Sequence, residues 1–443
     1  MYIQRNLSVT HAAAIILAGF IYFEIYHHSW FLQLFFGTKE RIIPNLIYIV
    51  ILFFISVMYG TLLLRNDRTV NVWDSNKRLF IPVMLYISMG FFVVVLHEQD
   101  FDAIKRYLIY LFTPIMVFLG IWCIYRDNKN IKTALNILFG LGVIFSIYST
   151  ALHMMSDADI RSMHGLSLIH EREYLARFTI PGLGPNVFPS MLVPMIFAGL
   201  YFTSSISGKS RYVYLGFTLL MFYNIVITAS KGAVISLSAG VLYLAYKRWL
   251  KFDRKTLFVV FIFSVVLFAA GDLFFQRVAA TNAVLERALA EGFTDEVGRS
   301  ETRVVALIDT FTSHIIANPI WGSGFSYFLD SQEEKLQGLG NHNFYTTIFA
   351  QGGLLIFIPL VFILAFLYFS SRNILSRNVF ADPASKDMGM VLNAGLIAYL
   401  IDLNFPPGFF HYYWIWFGFT AAWARNCEVE YQNSYEKNNL YHF

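Results

Sequence analysis

Long apolar runs divided by short polar stretches dominate this chain. Runs of about 16–25 residues, each able to cross roughly 30 Å of hydrocarbon as a helix, fall at 9–26, 43–64, 79–96, 107–125, 133–152, 186–204, 212–229, 233–246, 256–274, 344–369, 388–404 and 409–424. The pattern predicts an all-α polytopic membrane protein with about twelve transmembrane helices, forming one transmembrane unit over residues 1–443. The run at 233–246 is short and that at 409–424 is rich in aromatics, which suits tilted spans. Met1 to Arg5 lead into an apolar run without a small-residue cleavage site, so the first span is expected to be retained.

Polar segments break this rhythm in two places, at about 153–185 and 275–343. Connections longer than about 12–15 residues are uncommon in compact proteins unless they are functional or disordered. The second carries helical apolar periodicity over 284–289 and 301–316, which predicts short amphipathic helices lying over the bundle. A third polar stretch, 426–443, reads as a terminal tail.

Composition removes the soluble alternatives. Hydrophobic residues make up 57% of the chain and charged residues only 14%, against about 45–50% apolar in ordinary soluble domains. Charge then sets the orientation. With the N-terminus inside, 20 of the 33 Lys and Arg fall on the cytoplasmic side, most of them in short loops where the positive-inside bias is reliable. Both termini are then cytoplasmic and the two long loops lie outside. Cys123 and Cys427 both fall near cytoplasmic boundaries, so no disulfide framework is suggested.

Cations on the outer side run against that bias and are the candidate chemistry. Arg177 lies in the first long loop, within an Arg-Phe-Thr-Ile-Pro-Gly-Leu-Gly turn segment. Arg299 and Arg303 lie in the second, and Lys231 opens an apolar stretch after a tight Thr-Ala-Ser turn. An outward cation wedged against apolar helices needs a partner. A diphosphate suits that need, while the competing reading is solvated loop charge or ion pairs with Glu171, Glu173, Glu291 or Glu301. His342-Asn343 sits at the mouth of the 344–369 span, after a turn-rich stretch containing Gly322 and Gly324. A neutral imidazole there is a natural general base for a sugar hydroxyl. The alternative for a lone His at a helix start is a capping or interface role. No HExxH, CxxC, paired carboxylate cluster, Walker loop or dinucleotide fingerprint occurs, so neither metal catalysis nor nucleotide-driven pumping is supported.

Three segments together resemble the O-antigen ligase and polymerase superfamily of bacterial membrane glycosyltransferases. Ile227 to Ala233 is similar to the family's Thr-x-Ser-Arg-Gly-Ala segment, with Lys231 in place of Arg. Arg303, followed by Asn318-Pro319-Ile320-Trp321-Gly322-Ser323-Gly324, is similar to its Arg…Asn-Pro-Leu-x-Gly-x-Gly stretch. His342-Asn343, nine residues and then Gly353 resemble the ligase His-Asn-x9-Gly signature, although Ile356 stands where that signature has Gly, Thr or Tyr.

The resemblance implies a C-type glycosyltransferase-like fold in the bacterial inner membrane, with a periplasmic active site and no metal, cofactor or nucleotide sugar. The donor and acceptor would be undecaprenyl-diphosphate-linked oligosaccharides in membrane lipid, with a chain-length regulator protein as a candidate partner and no role for nucleic acid. His342 would be the general base. Lys231 and Arg303 would hold the diphosphate, joined by Arg177 and Arg299, with Asn343, Gly322 and Gly324 in support. The departure at Ile356 favours a polymerase over a ligase acting on lipid A-core. A twelve-helix transporter or flippase is the reading from another class. It is disfavoured by loops of unequal length in the two halves and by the scarcity of mid-membrane charge, Glu24 and Asp402 both lying toward span ends.

Overall fold

The computed structural model describes residues 70–97, 104, 107–154, 187–228, 230–247, 307–308, 310–325, 343–377, 380, 382–405 and 411–440. Their regular structure is helical, with no strand among the described residues. In chain order the helices are α1 (Val70–His97), α2 (Thr113–Ile124), α3 (Asn128–Met154), α4 (Val187–Ser205), α5 (Ser210–Ile227), α6 (Lys231–Tyr246), α7 (Phe344–Arg377), α8 (Pro383–Asp402) and α9 (His411–Leu440). Two π-helical segments, Leu108–Phe112 and Thr310–Ile316, join them.

Each helix covers one expected apolar run. The runs at 9–26, 43–64 and 256–274 lie outside the described residues, as do the first long loop beyond Met154 and most of the second. Among the described residues, α1, α3, α4 and α7 are long and apolar enough to cross a membrane, and α2 and α6 are shorter apolar helices. Helices are the expected solution, because hydrocarbon offers backbone N–H and C=O groups no partner outside the segment.

Local chemistry adjusts two boundaries. The span expected over 107–125 opens with π winding rather than as a uniform α-helix. Pro114 has no N–H to donate one turn back, and both the amide and the hydroxyl of Thr113 donate to the Leu108 carbonyl, the hydroxyl at 2.6 Å. At the other end of the chain, α9 continues as helix through Leu440, well past residue 426 where the polar tail begins.

Helix α8 is the spine. It packs antiparallel to α6 and α9, and α4 packs against both α8 and α6. Helices α3 and α5 pack on α4, α2 runs parallel to α9, and α7 packs on α1, α8 and α9. Depth follows from this order. The apolar window of α4 is 83% buried inside the protein, whereas that of α1 is 33% buried and leaves Phe80, Ile81 and Phe91 exposed.

Small residues and shared polar groups hold the bundle, as expected where lipid is as apolar as the side chains. Gly389 lies against the Trp423 ring and Gly395 against Trp416, which lets α8 and α9 approach closely. The indole N–H of Trp416 donates to the Leu392 carbonyl at 2.9 Å and that of Trp423 to the Ser385 carbonyl at 3.0 Å. Asn393 links three helices, accepting from Ser371 of α7 at 3.0 Å and donating to Tyr243 of α6 at 2.7 Å. At the opposite end of the bundle from Asp402, Arg425 donates to the carbonyls of Trp122 and Tyr125, capping α2. Both cysteines are free and buried. Burial pushes the Cys427 thiol up to about 12, against an opposing hydrogen bond from Asn128, so it stays protonated and inert.

Substituting Gly389 by Val should cost about 1–3 kcal/mol by forcing α8 away from Trp423. Thermal unfolding of the detergent-solubilised protein measures it, and an unchanged Tm would contradict the close α8–α9 packing.

Candidate functional site

The site develops at the C-terminal end of α8, the outer end in the orientation expected from charge, where two other helices begin. Helix α6 starts abruptly: Ser230 is extended, with φ −79° and ψ 102°, and Lys231 is the first helical residue. The next residue, Gly232, is packed so closely on Phe405 that a methyl group there would lie 2.6 Å from the Phe405 Cβ. Thr228 and Ser230 are buried beside it.

Helix α7 starts at the same end. Asn343 caps it, its side-chain oxygen accepting from the Thr346 amide at 3.1 Å, as an N-cap residue should. The Phe344 amide, left without an intrahelical acceptor, donates to the Leu403 carbonyl at 2.9 Å. The Asn343 side chain donates to Asn404 at 3.3 Å, and the Tyr345 hydroxyl donates to the Leu400 carbonyl at 2.9 Å. Residues 400–405, the last turn of α8 and the three residues after it, therefore receive the starts of both α6 and α7. Helix N-termini carry partial positive charge and unpaired N–H groups, which favour anions.

Asp402 forms the floor of this junction. It is fully buried, receiving the Tyr413 hydroxyl at 2.7 Å and the Ser236 hydroxyl at 3.3 Å, with Ser190 also in reach. Those donors come from α9, α6 and α4, so one carboxyl group ties four helices together. A buried acid demands such donors, since an unpaired one costs several kcal/mol or more.

About two and a half turns below its cap, α7 is interrupted at Gly353, where φ is +60° and ψ −158°. In an unbroken helix the Leu354 and Leu355 amides would donate to the carbonyls of Ala350 and Gln351. Here they donate instead to Pro319 at 2.9 Å and Ile320 at 3.3 Å. The two carbonyls so released accept from Ser323 at 2.8 Å and Gly324 at 3.0 Å. A turn over 318–324 is thus inserted into the helix, replacing its lost bonds one for one.

Glycine is required on both sides of the contact. Gly322, at φ +71°, lies against the Gln351 carbonyl and 2.6 Å, measured from an added methyl, from the Gly352 amide. Gly353 lies against the Ile320 carbonyl in the same way. Behind the turn, Nδ1 of the buried His314 lies 2.9 Å from the Ser323 hydroxyl. Trp321 packs on Phe92 of α1, their ring centroids 6.0 Å apart. The Gln351 carboxamide beside the break is buried, and neither of its polar atoms has a hydrogen-bond partner among the described residues.

Of the residues singled out in sequence, the structure brings the backbone of Lys231 and the whole of Asn343 to one end of the bundle. Gly322 and Gly324 belong to the inserted turn, one break away on α7. Arg177, Arg299, Arg303 and His342 lie outside the described residues, His342 directly preceding Asn343 in the chain. Sequence reading missed the His314–Ser323 pair and the role of Asp402 as a junction. The available signals were a histidine inside an apolar stretch and an acid at a span end. Among the described residues no group of three His, Cys, Asp or Glu side chains gathers as metal ligands would.

Comparison with known families matches residues 216–374 to the family described as O-antigen ligase. No curated protein matches the chain. The matched segment runs from α5 through the inserted turn to the inner half of α7, so it contains both helix starts and the break. The helices long and apolar enough to cross a membrane mark the chain as an integral membrane protein, and its residues 216–374 are similar to the O-antigen ligase family.

Replacing Gly353 by Ala should both force a left-handed backbone onto a side chain and drive a methyl group into the Ile320 carbonyl. The expected outcome is a destabilised outer half of α7, read as faster proteolysis near residue 353 and a lower Tm. Unaltered proteolysis and Tm would refute the tight Gly322–Gly353 contact.

Proposed function

We propose that this chain is a member of the O-antigen polymerase and ligase superfamily, to which residues 216–374 are similar, and that it is a polysaccharide polymerase of the bacterial inner membrane. It transfers an undecaprenyl-diphosphate-linked glycan onto the non-reducing end of another lipid-linked repeat unit at the periplasmic face. What supports this reading most is the docking of the α6 start at Lys231 and the α7 start at Asn343 on one end of α8. The backbone of Lys231 and the residue following His342 in the chain thereby lie at one end of α8.

In the reaction, the acceptor hydroxyl oxygen attacks the anomeric carbon of the donor while its proton passes to the His342 imidazole. The bond from that carbon to the diphosphate oxygen breaks, and the oxygen leaves with the electron pair. Negative charge grows on the bridging oxygen, and Lys231 and Arg303, with Arg177 and Arg299, stabilise it in surroundings poor in water. Two helix N-termini aimed at the same end add fixed positive potential. Asn343 caps the helix that follows His342 in the chain, and Gly322 and Gly324 shape the turn inserted into that helix. No step calls for a metal or a cofactor.

The ligase reading remains the second candidate because the matched family is described as O-antigen ligase. A deletion strain separates the two. Loss of a polymerase leaves the core carrying a single repeat, whereas loss of a ligase leaves long polymer on the carrier lipid above a bare core. A transporter would release no lipid diphosphate in either case.

With purified protein and lipid-linked repeat in liposomes, His342→Ala should lower transfer by about 100-fold or more. Lys231→Arg should keep most activity and Lys231→Ala should lose it, because charge at this position is the requirement. Transfer undiminished by His342→Ala would sink the catalytic assignment.

A further inference from the structure

The inserted turn does more than repair a broken helix. It joins two parts of the chain that the proposed reaction must align. The π-helical segment Thr310–Ile316 begins seven residues after Arg303 in the sequence and leads straight into the turn. The helix that receives the turn begins two residues after His342. Whatever fixes the turn in the break therefore ties the arm that follows the diphosphate-binding cation to the helix that follows the base.

His314 is placed to do this. It is 2% exposed, unusual for a histidine near an outer surface, and its Nδ1 holds the Ser323 hydroxyl at 2.9 Å. The Ser323 amide is the donor that satisfies Ala350 in the break, at 2.8 Å. Main-chain bonds repeat the same path, from the Asn318 amide to His314 at 3.1 Å and from the Gly322 amide to Asn318 at 2.9 Å. Ile315, the next residue, packs on Ala350 and Phe349 of α7. Side chain and backbone thus fix one orientation of the turn. The outer end of α7 is pinned separately, by Phe344 to Leu403 and Tyr345 to Leu400. The segment 344–352 is held at both ends, leaving it little freedom to tilt.

We propose that His314, through Ser323, is a positioning residue that sets the segment 344–352 of α7, to which His342 is joined in sequence through Asn343. This inference rests on the polymerase reading above. His314 touches neither glycan nor diphosphate. Its effect falls on the alignment of base and leaving group, where a displacement of about 1 Å can cost on the order of 100-fold in rate.

The test compares His314→Leu, His314→Asn, Ser323→Ala, the double variant His314→Leu/Ser323→Ala, and His342→Ala in the liposome transfer assay. His314→Leu and Ser323→Ala should each lower kcat by about 10–100-fold with the donor KM and Tm near those of the parent. His314→Asn, whose amide can occupy the Nδ1 position, should regain most of the loss. The double variant should be no worse than either single one, because both remove the same bond. Parental kcat in Ser323→Ala, the milder change, overturns the proposal, as do additive losses in the double variant or a fall that follows Tm alone. If His342→Ala abolishes transfer while the His314 and Ser323 variants match the parent, only this inference fails. If His342→Ala transfers normally, the polymerase assignment fails first.

Discussion

A backbone amide or carbonyl without a partner is the most expensive thing a membrane helix can contain, and α7 contains four of them. The break at Gly353 frees two carbonyls and two amides, and the turn over 318–324 satisfies all four. At roughly 1–3 kcal/mol for each unsatisfied buried group, a broken helix of this kind persists only while its turn is in place. The fold around the outer end of the bundle follows from that requirement. Two glycines must face each other backbone to backbone, and the polar segment before α7 must fold back over the bundle to supply the turn.

The arrangement splits one long helix into two rods with separate duties. The inner rod of α7 packs on α1, α8 and α9 and carries Ser371 to its partner Asn393. The outer rod, about two turns long, answers to α8 and to the inserted turn. Non-helical backbone at membrane depth is tolerated where protein buries it, and here it separates a structural piece of helix from a piece that orients residues at the surface. Proline alone would not achieve this. Pro359 lies within the inner rod without interrupting it.

Buried polar groups fix the lateral positions of the helices in the same manner. Asp402 at one end and Asn393 at middle depth each bind groups from two or more neighbouring helices, and Arg425 at the other end binds the last carbonyls of α2. Van der Waals contact alone lets helices slide, whereas a hydrogen bond in a medium without water selects a register. Because α8 or its direct neighbour α9 owns every one of these groups, the C-terminal hairpin serves as the frame on which the starts of α6 and α7 are measured.

By itself the sequence determined the class of molecule and the place of each described helix, since runs of apolar residues long enough to span hydrocarbon have no other stable conformation there. It also singled out Gly322, Gly324, Gly353, Lys231 and Asn343 through their spacing in a pattern resembling a family's. It did not reveal why those glycines are needed, because residues 322 and 353 are thirty-one positions apart and only the folded chain presses one backbone against the other. The interruption of α7 was equally hidden: 344–369 reads as one apolar run, and hydropathy is blind to hydrogen bonds exchanged with a distant turn. His314 and Asp402 looked like isolated polar residues near span ends. Tertiary structure decided their meaning, because a buried polar group is defined by the partner that reaches it, and that partner is chosen by packing rather than by neighbours along the chain.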